Sequence, residues 1–401
     1  MSKTLVLVLN CGSSSLKFSI LNTISKKKIF FGTFERLYLL KSFVTWECDH
    51  DKKKIILNDY ESHEQALTFM VKNIFTKYKN IINRIKFIGH RVVHGGCDLT
   101  RSYIINDNII QIIKKNIVFA PSHNPLNLLG IHLSMKYFPN LSKNNVAVFD
   151  TAFYNTLPES AYLYAIPYYL YKDYNIRRYG AHGISHSYVL QQASKILDKS
   201  IQSLNIITCH LGGGSSISAI VNGRCVDTSM GLTPLEGLVM GTRSGNLDPS
   251  IIFFMNDVLN IPINTIQDIL INKSGILGLT NGITSDFRYV EKNYYSENES
   301  YRAVNVFCYS LSKYISSYAS VLFGKIDAVI FTGGIGENSF LVRKLALLNL
   351  KFLGLELDDS LNQDYVLHKS SFINKKSTIP ILVIPTNEDL VIAEETIQLF
   401  S

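Results

Sequence analysis

With 401 residues the chain is too long for one ordinary core, so two domains are expected, and 46% hydrophobic with 18% charged residues excludes a disordered or fibrous protein. The six cysteines (Cys11, Cys48, Cys97, Cys209, Cys225, Cys308) are scattered without a CxxC pair, which argues against a zinc site or disulfide framework and fits a reducing cytoplasm. The net charge of +8 sits in short solvated clusters such as Lys26–Lys28 and Lys52–Lys54, with no nucleic-acid-binding signature, and no apolar run reaches the ~18 residues of a membrane span. Neither nucleic acid nor a membrane is an expected partner. The leading LVLVL is too short for a signal sequence, and a cytoplasmic location is expected.

Residues 4–34 read as three strands, LVLVLN, LKFSILN and KIFFGTF, the first two joined by the bend CGSSS. A hairpin, FVTWEC and KKIILND, follows. Ser62-His63-Glu64-Gln65 then forms a capping box that starts a helix with Leu67, Met70, Ile74 and Tyr78 on one face. IKFIGHRVV (85–93) and NVAVFD (145–150) are buried strands with a helix at 125–137 between them. Residues 204–229 repeat the opening plan: LNIITCH, the bend LGGGSS, ISAIV, the turn Asn222-Gly223 and RCVDTS. Asn-Gly is the strongest short hairpin signal, because a type I′ turn needs positive φ at both central residues. Helices near 248–258, 262–273 and 298–323 precede the strand IDAVIFTGG, and PILVIPT (380–386) leads into a last helix from Glu388. Strands alternating with helices argue an α/β architecture, and the repeat argues a duplicated one.

Three glycine clusters end apolar strands: Gly12 with Ser13–Ser15, Gly212–Gly214, and Gly333 to Gly336. One alone reads as a tight turn; three together point to backbone amides aimed at phosphate. None is a Walker A loop or a GxGxxG fingerprint. Lys17, Arg91 and Arg243 lie beside these bends, as charge stabilisation of a transferring phosphoryl group requires. His90, His94, His123, His182, His186 and His210 cluster near the bends too, and hydrogen-bonding roles are favoured over zinc, with GIS after His182 reading as a loop entering a helix. Asp150 ends a buried strand, and Glu388 begins the final helix.

LNCGSSSLKF, GHRVVHGG, AVFDTAF, HLGGGSS, MGLTPLEGLVMGTRSG, FTGGIGEN and PTNED occur in this order over nearly the whole chain. Together they resemble the acetate/propionate/butyrate kinase family. The resemblance implies a duplicated actin-like (ribonuclease H-like) α/β fold of two domains with a nucleotide cleft between them. The expected boundaries are 1–152, completed by the C-terminal helix 387–401, and 153–386. It implies reversible transfer of the ATP γ-phosphoryl group to acetate, giving acetyl phosphate and ADP, with Mg²⁺ (Mn²⁺ as a substitute), in a homodimer. It assigns Asn10 and Glu388 to the metal, Lys17 to ATP, Arg91 to the carboxylate substrate, and Asp150, His182 and Arg243 to catalysis. Nucleotide contacts fall on His210, Leu211, Gly212, Gly213, Gly214, Asp286, Phe287, Arg288, Gly334, Ile335, Gly336, Glu337 and Asn338. Val93, Ser122, Ala181 and Pro234 line the acyl pocket.

Acetate is already ionised at neutral pH and needs no general base, so Asp150 is expected to orient an arginine or the magnesium shell. The chain departs from the family pattern where Gly213 stands for Asn, Ser122 for Leu, Ala181 for Phe and Tyr154 for His. The two short pocket residues make propionate an alternative substrate. A nucleotide-switched interaction protein on the same fold would need an appended binding domain, and a sugar kinase would need an Asp-rich loop in place of HRVVHGG.

Overall fold

The computed structural model describes residues 4–366 and 369–401. Two compact units emerge: one runs to Phe153 and takes in Asn387–Ser401, and the other is Tyr154–Thr386.

In the first unit β1 (Leu5–Cys11), β2 (Ser15–Asn22), β3 (Lys27–Glu35), β4 (Phe43–Cys48) and β5 (Asp51–Ile56) form an antiparallel meander. β6 (Ile85–Val92), β7 (Tyr103–Ile104) and β8 (Asn145–Phe149) extend it into a sheet of order β5-β4-β3-β2-β1-β6-β8-β7. β1, β6 and β8 run parallel, and their near-continuous apolar sequences are buried, as strands covered on both faces require. The capping box is present: Gln65 N–H donates to Ser62 Oγ at 3.2 Å, and Ser62 N–H to Gln65 Oε1 at 2.8 Å. The regular helix it starts ends at Phe69. The chain widens into a π turn over Met70–Ile74 and tightens to a 3₁₀ turn over Phe75–Tyr78. Leu67, Met70 and Ile74 stay buried, and Phe75 sits 5.7 Å ring to ring from both Phe18 and Phe30. Aromatic packing thus overrides a uniform helical period here.

The last helix, Glu388–Gln398, buries Leu390, Val391, Ile392 and Ala393 and closes against β6. Gly89 of β6 permits that approach, since a Cβ there would lie 2.6 Å from both Ile392 Cγ2 and Thr396 Oγ1.

The second unit repeats the plan. β9 (Ile206–Leu211), β10 (Ser215–Val221) and β11 (Arg224–Thr228) form a meander. With β12 (Ala328–Thr332), β13 (Ser371–Phe372) and β14 (Ile381–Val383) they give the order β11-β10-β9-β12-β14-β13. β9, β12 and β14 are parallel. Each sheet therefore contains three antiparallel strands continued by two parallel ones, and the α/β duplication expected from the sequence is what the sheets show. Asn222 (φ 50°) and Gly223 (φ 73°) both take the left-handed conformation of a type I′ turn. The helix Asn298–Val321 covers this sheet through Ala303, Val304, Phe307, Leu311 and Ile315. Among the described residues no helix is long and apolar enough to cross a membrane.

Candidate active site

In the first unit, chemistry gathers at the C-terminal ends of the parallel strands, where α/β folds place their ligands. Asn10 lies one residue from the end of β1, Arg91 one residue from the end of β6, and Asp150 follows β8. Arg91 donates from Nη2 to Asp150 Oδ2 at 2.7 Å and from Nε at 3.2 Å, and from Nη1 to Asn10 Oδ1 at 3.3 Å. Asp150 is fully buried. Burial alone would lower the pKa of Arg91; Asp150, then Glu388, more than offset it and hold the guanidinium above its ordinary range. The arginine is thus fixed and charged, with its remaining N–H donors unused by the described residues.

Lys17 pairs with Asn10 across the β1–β2 ladder, so both side chains lie on one face of the sheet. The bend between them is tied off by Gly12 N–H to Ser15 C=O at 2.8 Å and by His63 Nε2, 2.8 Å from the Gly12 carbonyl. Val93 is buried, its N–H held by Asn127 Oδ1 at 3.1 Å; Asn124 Oδ1 accepts from His94 N–H at 3.1 Å. Sequence reasoning missed these two asparagines, whose signal was a polar i, i+3 pair on an apolar helix. Ser122 is exposed beside His123, with Oγ 3.0 Å from Nδ1.

Glu388, at the first position of its helix, makes no hydrogen bond or ion pair among the described residues. No group of three or more His, Cys, Asp or Glu side chains there could enclose a metal ion. Mg²⁺ keeps several waters and takes only one or two protein ligands when phosphate oxygens supply the rest. An unpartnered carboxylate and a strand-end amide fit such an ion.

In the second unit the bend Gly212–Gly214 joins β9 to β10. His182 (φ 61°) takes the left-handed conformation and immediately precedes the helix Gly183–Ile196, so Gly183-Ile184-Ser185, expected as a loop, are instead its first turn. Its ring stacks on His210 at 4.4 Å between centroids, and its Nδ1 lies 2.9 Å from Ser216 Oγ. Its Nε2 turns toward Gly214: a Cβ built there would lie 3.1 Å from His182 Nε2 and 3.2 Å from Arg243 Nη2. Arg243 donates to the Pro234 carbonyl at 2.7 Å and has no carboxylate partner among the described residues; burial lowers its pKa. A guanidinium desolvated without a counter-ion beside a glycine bend is an anion-seeking group. Ala181 is buried with Met230 and Met240, and its carbonyl accepts from the Tyr154 hydroxyl at 2.5 Å.

A pocket of about 470 Å³ lies alongside, lined by Gly212, Gly213, Asp286, Phe287, Arg288, Gly334, Ile335 and Asn338 together with Met240, Ile276 and Phe307. Asp286 caps its short helix and pairs with Arg288 at 2.6 Å. A Cβ at Gly213 would meet nothing within 4 Å, so the family's asparagine has no counterpart and its space is open. His210 Nδ1 lies 2.8 Å from Ser185 Oγ, and Leu211 is buried in the sheet. Glu337 does not line the pocket: its Oε1 accepts from the N–H groups of Gly333 (3.0 Å) and Thr386 (3.1 Å), tying two strand ends together. Gly336 is buried, its carbonyl receiving Arg343 Nη1 at 2.9 Å.

The profile of the Acetokinase family matches residues 5–394. An acetate kinase of Buchnera aphidicola is 55% identical over 98% of this chain and 96% of its own. A crystal structure of a propionate kinase from Francisella tularensis is 42% identical with a TM-score of 0.91, covering 98% of each chain. That of Porphyromonas gingivalis acetate kinase is 36% identical with a TM-score of 0.89, covering 99% of this chain and 100% of its own.

Proposed function

The chain belongs to the Acetokinase family and is an ATP-dependent acetate phosphotransferase, and from that premise we propose how its residues divide the reaction. The first unit serves the acceptor. Arg91 holds the acetate carboxylate through N–H donors that Asp150 and Asn10 leave unused, and Asp150 acts by orienting and neutralising Arg91, not by moving a proton. Acetate, with a pKa near ~4–5, arrives ionised and attacks the γ-phosphorus directly.

The second unit serves the donor. The nucleotide base and ribose fit the pocket beside Asp286, Phe287, Arg288 and Asn338, and the glycine bends follow the phosphates. Arg243 and His182 meet the equatorial oxygens, where charge spreads as the P–O bond breaks. Asn10 and Glu388 would hold Mg²⁺, with Lys17 on the same sheet face as Asn10. The chemistry such an ion would supply is neutralisation of negative charge on the phosphates.

The observation that carries this reading is the fixed pair Arg91–Asp150, a buried carboxylate that grips and presents an arginine. Its test is a coupled assay for acetyl phosphate with Arg91→Ala. A loss of roughly two orders of magnitude in kcat/KM for acetate is expected, with KM for ATP little changed. A folded variant of near-wild-type activity would overturn it.

Propionate is the second reading, since Ser122 and Ala181 are short and a 42%-identical relative is a propionate kinase. Ala181 is nevertheless packed against Met230 and Met240, flexible side chains that fill irregular space, which favours acetate. The enzyme is further proposed to be cytoplasmic, in keeping with cysteines that form no disulfide among the described residues, and homodimeric. Ile251, Phe253, Phe254, Val258, Leu259 and Ile263 form an exposed apolar group suited to a second copy. Light scattering of the purified chain tests the dimer.

A further inference from the structure

Beneath His182 lies a set of buried polar groups that the reaction does not touch. His186, one turn further along the same helix, places Nδ1 2.6 Å from Thr208 Oγ1 and Nε2 2.9 Å from Ser216 Oγ. Ser216 Oγ is in turn 2.9 Å from His182 Nδ1. Thr208, His186 and Ser216 are all fully buried. We propose that Thr208, His186 and Ser216 form a directed hydrogen-bond relay that holds His182 with its proton on Nε2, making His186 and Ser216 positioning residues for phosphoryl transfer. The link to catalysis rests on the reading that His182 faces the transferred group.

The direction follows from counting protons. Thr208's hydroxyl meets only His186 among the described residues, so its single hydrogen must go to His186 Nδ1. The opposite polarity would leave that hydrogen buried without an acceptor. His186 is kept neutral, because burial and then His210 lower its pKa well below the ordinary value. With Nδ1 accepting, its one ring proton is on Nε2 and is donated to Ser216 Oγ. The Ser216 hydrogen is then committed to His182 Nδ1, and the His182 proton resides on Nε2, the edge turned toward Gly214 and Arg243. His182 therefore presents a donor to phosphoryl oxygens and not a base. The tautomer is fixed by the far nitrogen's partner, as in other catalytic histidines.

The test reads the tautomer directly. In ¹⁵N-histidine-labelled protein, His182 should show a protonated Nε2 and an unprotonated Nδ1. Ser216→Ala should mix the two tautomers and lower kcat by at least about tenfold, with KM for acetate and ATP changed by less than about twofold. Ser216→Thr, which keeps a hydroxyl, should recover most of kcat. A wild-type spectrum with the proton on Nδ1 would overturn the relay, and so would Ser216→Ala with tautomer and kcat unchanged. If Ser216→Ala folds poorly, the wild-type spectrum decides alone. His182→Ala at wild-type kcat would instead overturn the role at the phosphoryl group and leave the tautomer standing.

Discussion

Replacing Asp150 by Asn changes one atom in a buried contact, and the consequences can be worked through. Asp150 Oδ2 receives Arg91 Nη2 at 2.7 Å and Nε at 3.2 Å, and Oδ1 receives Nε at 3.3 Å, all charge-assisted. In the amide one acceptor becomes an NH₂ group whose hydrogens face those of the guanidinium, so at least one bond becomes a repulsion. Charge-assisted bonds contribute about 1.5–3 kcal/mol each, so losing one to two amounts to about 1.5–6 kcal/mol. If Arg91 is released from its pose, kcat/KM for acetate should fall about 10²- to 10³-fold. Folding should suffer less than the ~3–5 kcal/mol typical of an orphaned buried charge, because Glu388 and Asp389 still face Arg91. The assay is acetyl phosphate formation from pH 6 to 9, together with a thermal melt. A positioning role predicts profiles of the same shape in both enzymes, displaced downward in the variant. A wild-type rate that follows one ionisation near neutrality and loses it in Asp150→Asn would refute the argument and make Asp150 a base.

Gly213→Asn should be accepted, since a Cβ there meets nothing within 4 Å, and one added hydrogen bond of about 0.5–1.5 kcal/mol should lower KM for ATP roughly two- to tenfold; an unchanged or raised KM in a stable variant would show that the space is not on the nucleotide's path. Arg243→Gln should lower kcat by about two orders of magnitude while leaving KM for acetate within a few-fold, measured in the same assay. His90 is buried with Nε2 2.8 Å from Asn145 Oδ1, and burial pushes its pKa down to about 4. The unfolded chain therefore binds a proton below about pH 6.5 that the folded one refuses, so stability is lost as pH falls from there toward 4, and His90→Gln should flatten that limb of a Tm–pH curve.

What could be read in advance was what local chemistry fixes. The capping box at Ser62 and Gln65, the left-handed pair Asn222-Gly223 and the alternation of strands with helices each depend on neighbours in sequence. The π turn after Phe69 did not show, because it answers to aromatic rings from β2 and β3. Nor did the pairing of Arg91 with Asp150 follow from spacing; it depends on β6 and β8 lying parallel and adjacent. The partners of His182 stayed hidden for the same reason. Ser216 and Thr208 look like ordinary strand hydroxyls until the register of β9 and β10 sets them under one helix.

The closing of Glu388–Gln398 onto β6 has a consequence for how the molecule is made. Translation delivers β1 through β8 first, yet the helix that covers them against Gly89 is made only after the whole of Tyr154–Thr386. At about 5–20 residues per second, synthesis of Tyr154–Thr386 keeps that apolar face waiting for on the order of ten to fifty seconds. The nascent first unit is thus an incomplete sandwich, a natural client for chaperones, while the second unit has all of its strands before that helix is made. A premature stop just before Asn387 would spare every strand of both sheets and still yield a chain unable to finish its first half.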